Sequence, residues 1–219
     1  MDTFRSDEEQ VEALKNWWQE NGVSTMLSIG VAIAIIFGWR AWQGNQQAYV
    51  DNASFSYQQL LEAVAQLETN GNDIQIATVD HMAETIKADY SKTGYSHFAA
   101  FFKARQAVED NDLPAAEEEL RWILANKPTA EMQLITELRL AKVLFAQQQT
   151  DAALALLNRS ETGVFAHAFL ELKADLLVNT GDYQGAFDAY TQAKVEIEAL
   201  GMAEPQTLTV KTAYAKSFL

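Results

Sequence analysis

The chain has 219 residues and a formal net charge of −14, from 30 Asp or Glu against 16 Lys or Arg. Beyond Gln43 the balance is 13 basic residues to 24 acidic ones, which excludes nucleic-acid binding and charge-driven docking of that region on anionic lipid. The absence of cysteine excludes disulfides, thiolate catalysis, cysteine-ligated zinc and lipidation at cysteine, and three prolines with ten glycines predict an all-α fold.

The first element, residues 7–20, reads as an amphipathic helix, with Val11, Leu14, Trp17 and Trp18 on one side and Glu8, Glu9, Glu12 and Lys15 on the other. Two readings stand for this acidic arm: a helix along the membrane surface, or a segment ordered by a partner. The next stretch, Val23 to Trp42, carries no charge between Glu20 and Arg40, which are separated by 19 residues. That run is about 30 Å of helix, the hydrocarbon thickness of a bilayer. Trp17 and Trp18 before it, with Trp39, Arg40 and Trp42 after it, are expected interface anchors in contact with membrane lipid. The acidic leader and the lack of a small-x-small site after the span favour an uncleaved signal anchor. Arg5 and Lys15 lie before the span and Arg40 after it, a weak bias toward a cytoplasmic N-terminus. Gly30, Ala34 and Gly38 form a small-residue stripe suited to packing against another membrane helix, although such residues are common in single spans.

Residues 43–70 have apolar positions at helical spacing, predicting a separate helix that leaves the membrane and breaks at Asn70-Gly71. A second helix is expected over 74–90. From Tyr95 the sequence repeats. Units of two helices are predicted over 95–125, 131–158 and 164–200, with turns near Asp110, Gln148 and Gly181. Ala104, Ala141 and Ala174 fall at equivalent places in the first helices, and Ala116, Ala153 and Ala186 follow each by twelve residues. The offset extends to Ala65 and Ala77, predicting a degenerate fourth pair with His81 where Leu120, Leu157 and Tyr190 stand in the others. Unit spacings of 39, 37 and 33 scatter about the 34 of tetratricopeptide repeats, so the expected fold is a tetratricopeptide-like α-solenoid of about four hairpins. From Pro205 two readings stand: a capping helix built on Leu208, Val210, Tyr214 and Phe218, or a short extended tail.

A solenoid binds partners on the concave surface made by its first helices. Counting from the aligned alanines, that face is expected to carry Phe98, Phe101, Arg105, Ile135, Leu138, Lys142 and Phe145, then Glu171 and Asp175. Its change from apolar to acidic suits extended apolar segments better than a terminal carboxylate. The other reading of the same stripe is that half of these side chains are core between hairpins. Glu117, Glu118 and Glu119 read as a solvated helix start. His81, His97 and His167 make no helical metal pair, and no phosphate loop, nucleophile elbow or HExxH motif is present, so catalytic residues, metal ligands and cofactors are expected to be none.

QVEALK, WWQENG, GWRAW, SFSYQQ, LRLAKV with DAALALLN, and GDYQGA, in that order, resemble the YfgM family, the ancillary subunit of the bacterial SecYEG translocon. The resemblance implies a type II inner-membrane protein of a Gram-negative bacterium, with residues 1–22 cytoplasmic, 23–42 spanning and 43–219 periplasmic. It implies partnership with the SecYEG translocon and the membrane-anchored chaperone PpiD, and a non-enzymatic part in passing client polypeptides to periplasmic chaperones. Two other functions fit the residues: a membrane tether that regulates a stress-response signalling protein through the arm, and a cell-envelope assembly factor.

Overall fold

The computed structural model describes residues 7–70 and 73–219. Arg5 and Gly71, used above for orientation and for a turn, lie outside the described residues. The described residues form nine helices: α1 Asp7–Asn70, α2 Asp73–Asp89, α3 Gly94–Glu109, α4 Leu113–Ala125, α5 Ala130–Ala146, α6 Thr150–Leu157, α7 Ala166–Thr180, α8 Tyr183–Ala199 and α9 Gln206–Lys216, with a 3-10 turn at Gly163–Phe165. They divide into two compact units, Met1–Asn52 and Ala53–Leu219.

The expected arm, span and exit segment fall in one uninterrupted helix, α1, of which the part up to Asn52 belongs to the first unit. The separate helix expected after Trp42 is corrected on this point. No proline interrupts the segment, and its polar residues bond along the helix, as Gln47 does to Asp51 at 2.8 Å. Of the most apolar 18-residue window, 6% is buried within the protein, which removes the alternative of a soluble core helix and leaves a candidate membrane span. Its polar groups satisfy themselves locally: the Ser28 hydroxyl donates to the Ser24 carbonyl at 2.8 Å, as a helix in hydrocarbon requires. Rings pair at both ends, Trp17 with Trp18 at 6.3 Å and Trp39 with Trp42 at 5.1 Å. The Gly30 and Gly38 positions are bare, since a Cβ on either would meet nothing within 4 Å.

The second unit is built by repetition. All six aligned alanines of the pairs α3–α4, α5–α6 and α7–α8 are buried, none more than 4% exposed. Where two helices cross this closely, a side chain larger than methyl would hold them apart. Each hairpin also turns in one way: Asn111, Gln148 and Gly181 have φ of 59°, 63° and 83°. The following residue in each case sends its N–H back to a carbonyl five residues earlier, at 2.7 to 2.9 Å. This is the Schellman closure that satisfies the last carbonyls of the first helix. Asp112 and Asp182 then cap the second helices, accepting from the N–H of Ala115 and Gly185. Leu120, Ile123, Leu140 and Leu144 fill the space between pairs, each at most 1% exposed and each contributing about 2 kcal/mol by burial.

The first pair keeps the architecture and changes the register. Ala65 and Ala77 are exposed, so the twelve-residue offset stops at α3. The end of α1 meets α2 through Leu60, Val79, Ala83 and Ile86, with Ala83 fully buried as the small residue. His81 faces solvent, so its polarity disturbs no core. At the other end α9 packs on α8 as a further first helix would. Leu208, Thr212 and Ala215 are its buried residues, whereas Val210, Tyr214 and Phe218, expected as cap contacts, are more than half exposed. Phe218 instead stacks flat on Tyr183 with centroids 4.2 Å apart.

Gln148 holds a left-handed conformation that its Cβ opposes by about 1 kcal/mol, and Gly181 holds the same conformation without that strain. Gln148→Gly is therefore expected to raise unfolding stability by about 0.5–1 kcal/mol and Gly181→Ala to lower it by about 1 kcal/mol, measured by urea denaturation of the detergent-solubilised chain.

Candidate protein-binding face

First helices α3 and α5 border a trough of about 410 Å³ on the repeat domain. Phe101, Ala104, Val108, Leu113, Leu120, Val143 and Ala146 make its apolar floor, and Arg105, Glu109, Arg139 and Lys142 make its rim. Arg139 lies over the Phe101 ring with its guanidinium carbon 4.2 Å from the centroid. Burial pushes its pKa below the ordinary arginine value. Arg105 binds Glu109 one turn on at 2.7 Å.

Of the seven residues expected on the concave face, the structure brings Phe101, Arg105 and Lys142 together in this trough. Phe98 is 42% exposed but belongs to an aromatic group with Tyr57, at 5.8 Å. Ile135, Leu138 and Phe145 are packed against the main core. On α5 the expected stripe is thus rotated by about one residue, or 100°, from the face that lines the trough. Arg139, Val108 and Val143 were missed, because apolarity on α5 is greatest on the side that faces the core. The step from Phe101 by three and four residues to Ala104, Arg105 and Val108 was the signal available on α3.

The acidic end expected at Glu171 and Asp175 is partly neutralised. Lys211 of α9 donates to both carboxylates at 2.8 Å, and the Tyr190 hydroxyl donates to Asp175 at 2.6 Å. Burial works against the Lys211 charge, but the bonds to Asp175 and Glu171 outweigh it and hold its pKa above the ordinary lysine value. Burial, with the Asp175 bond, likewise pushes the Tyr190 hydroxyl up.

A second charged group ties the first hairpin to the next. Lys87 of α2 pairs with Glu84 at 3.1 Å and with Glu119 of α4 at 2.7 Å. Its ammonium also lies 5.1 Å from the Trp122 ring centroid. Lys103 of α3 reaches Asp80 at 3.2 Å, Glu84 at 2.7 Å and Glu119 at 3.5 Å. Glu119 is therefore not the solvated residue expected of the helix start, although Glu117 pairs locally with Arg121 and Glu118 is exposed. The Lys103 bond is the main cause that holds Glu84 below the usual carboxylate range, against its partial burial.

The histidines do separate things. His97 is buried, with Nε2 3.1 Å from the Asn126 carbonyl; His81 is exposed; His167 is half-buried. Among the described residues no three His, Cys, Asp or Glu stand where they could hold a metal ion.

A long apolar helix, small-residue hairpin crossings and a grooved row of first helices define a class: a tetratricopeptide-like helical scaffold carrying a candidate membrane span. The tetratricopeptide repeat-like domain family matches residues 15–213. The chain is 32% identical over 188 residues to the "Ancillary SecYEG translocon subunit" of Haemophilus influenzae, covering 86% of this chain and 88% of that one. It is 31% identical over 205 residues to the protein of that name from Aggregatibacter actinomycetemcomitans, covering 94% and 95%. For the Escherichia coli protein of that name the figures are 29% over 190 residues, 87% and 88%. No solved structure matches the chain. The chain belongs to the tetratricopeptide repeat-like family of these relatives, the YfgM family that its motifs resemble. Fold and family point to a protein that is not an enzyme.

Two consequences of the charged group are measurable. Lys87→Met leaves Glu119, whose side chain is 13% exposed, facing Lys103 alone, and is expected to destabilise the domain by about 2–3 kcal/mol; adding Glu119→Gln recovers part of the loss. The lowered Glu84 pKa contributes stability that is present above the ordinary carboxylate value near about 4.3 and lost as pH falls through the folded value. Hydrogen exchange of α2–α4 is expected to accelerate below that pH before exchange of α7 and α8 does.

Proposed function

We propose that the chain is a non-enzymatic scaffold of the bacterial inner membrane that associates with the SecYEG translocon. The observation that carries this reading is the extent of the family match. It begins at residue 15 and ends at residue 213, so it takes in the apolar helix as well as the repeats. The relatives that share this arrangement are named as ancillary subunits of that translocon.

Residues 23–42 are the proposed signal anchor, residues 1–22 the cytoplasmic arm and residues 43–219 the periplasmic domain. Arg5 and Lys15 before the anchor, against Arg40 alone after it within 40 residues, support that orientation. The resemblance to the YfgM family supports PpiD and periplasmic chaperones as further partners, with emerging polypeptides as clients. The repeat domain supplies an apolar trough for such clients. The uncovered Gly30, Ala34 and Gly38 side of the anchor offers close approach to another membrane helix.

Purification of the tagged full chain in mild detergent is expected to bring down SecYEG and PpiD; recovery of neither would overturn this function. Gly30→Leu with Gly38→Leu is expected to reduce that recovery several-fold while membrane insertion, read by alkaline extraction, stays intact. Unchanged recovery would show that the stripe is not the contact.

A further inference from the structure

We propose that the trough between α3 and α5 binds an extended polypeptide segment in which a bulky apolar side chain lies next to a carboxylate. This rests on the reading of the repeat domain as a polypeptide-binding scaffold and names the chemistry that its central site selects.

The floor is apolar and its volume of about 410 Å³ falls in the lower part of the range of ligand sites. That alone would accept any apolar side chain. The rim is what discriminates. Arg105, Arg139 and Lys142 stand there against Glu109, a local balance of +2 in a chain of net charge −14. Glu109 and Arg105 answer one another across one turn, which leaves Arg139 and Lys142.

Elsewhere in the domain Lys87, Lys103, Arg121, Arg159, Lys194 and Lys211 each hold a carboxylate of the chain itself. Arg139 and Lys142 hold none among the described residues, although acidic side chains outnumber basic ones almost twofold. Arg139 is also preorganised. Its guanidinium carbon lies 4.2 Å from the Phe101 ring centroid, and a guanidinium held on an aromatic face can still offer its edge donors to a planar, bidentate acceptor. The burial that pushes its pKa down is uncompensated by an anion of this chain, and an arriving carboxylate would supply one. A purely anionic partner would leave the floor wet, and a purely apolar one would leave the rim unanswered. The two halves together call for an apolar residue beside Asp or Glu.

The test uses the full chain in detergent micelles and fluorescein-labelled peptides with a Leu-Asp-Glu core in a Gly-Ser frame. The controls replace the acids by Asn-Gln, or the Leu by Ala. Fluorescence anisotropy is expected to show the acidic peptide binding at least about tenfold more tightly than either control. That preference is expected to weaken with added salt. It should vanish in Arg139→Gln with Lys142→Gln and persist in Lys127→Gln, a cation outside the trough; circular dichroism checks that each variant keeps its helix.

Equal binding of the acidic and amide peptides, or a preference that survives the double substitution, would overturn the proposal while leaving a generic apolar site. Binding of no peptide would also overturn it. Translocon recovery by the same double variant reports separately on the scaffold reading. Self-association in sedimentation that the double substitution abolishes would assign the trough to a second copy and equally overturn the proposal.

Discussion

Two helices approach closely only where neither carries more than a methyl group at the crossing, and the repeat domain rests on meeting that condition three times at one spacing. Ala104 with Ala116, Ala141 with Ala153, and Ala174 with Ala186 are buried at those crossings. The left-handed residue between each pair of helices, Asn111, Gln148 or Gly181, reverses the chain so that the two alanines fall in the same core cluster. With crossing and turn set, the large side chains four residues beyond the second alanines, Leu120, Leu157 and Tyr190, are buried in the core. The first helices then line up side by side, which produces the trough between α3 and α5. A methylene added at a crossing would move whole helices, and with them the spacing of Arg139 from Phe101.

That constraint explains what was legible in the sequence. A steric requirement repeated at a fixed offset leaves identical residues at identical places, so the three alanine pairs, the three turns and the solenoid could be read directly. The first pair could not be extended from them, because Ala65 and Ala77 are exposed alanines that happen to keep the interval, while the buried alanine of α2 is Ala83. The continuity of α1 was hidden for a different reason. A polar run after an apolar one looks like a boundary, but neither Gln47 nor Asp51 opposes a helix, and the two bond to one another along it.

The lining of the trough matches the expected stripe on α3 and departs from it on α5, since apolarity signals burial and a groove beside a core is the less apolar side. Ile135, Leu138 and Phe145 are large hydrophobes of α5 that pack against the core beside the fully buried Leu140 and Leu144. Arg139, a charged residue among them, marks the face that opens. Similarly, on α9 Val210, Tyr214 and Phe218 were read as cap contacts from their apolarity, while the buried set, Leu208, Thr212 and Ala215, is smaller and partly polar. In a thin helical layer the closest contacts favour small residues, so size rather than hydropathy decides which side is inside.

Charge in this domain follows the same economy of place. Scarce cations are spent where helices of different pairs must be held in register: Lys87 and Lys103 join α2, α3 and α4, and Lys211 joins α9 to α7. Lys211 reduces the acidic end of the row, while the trough between α3 and α5 carries the cationic rim of the first-helix face. Under the proposed anchoring, a domain tethered by one helix beside the translocon meets emerging chains at an effective concentration on the order of millimolar. An apolar contact joined to one or two charge-assisted bonds is then strong enough to capture a segment. It would also be weak enough, and screened enough at physiological salt, to release the segment without any source of energy.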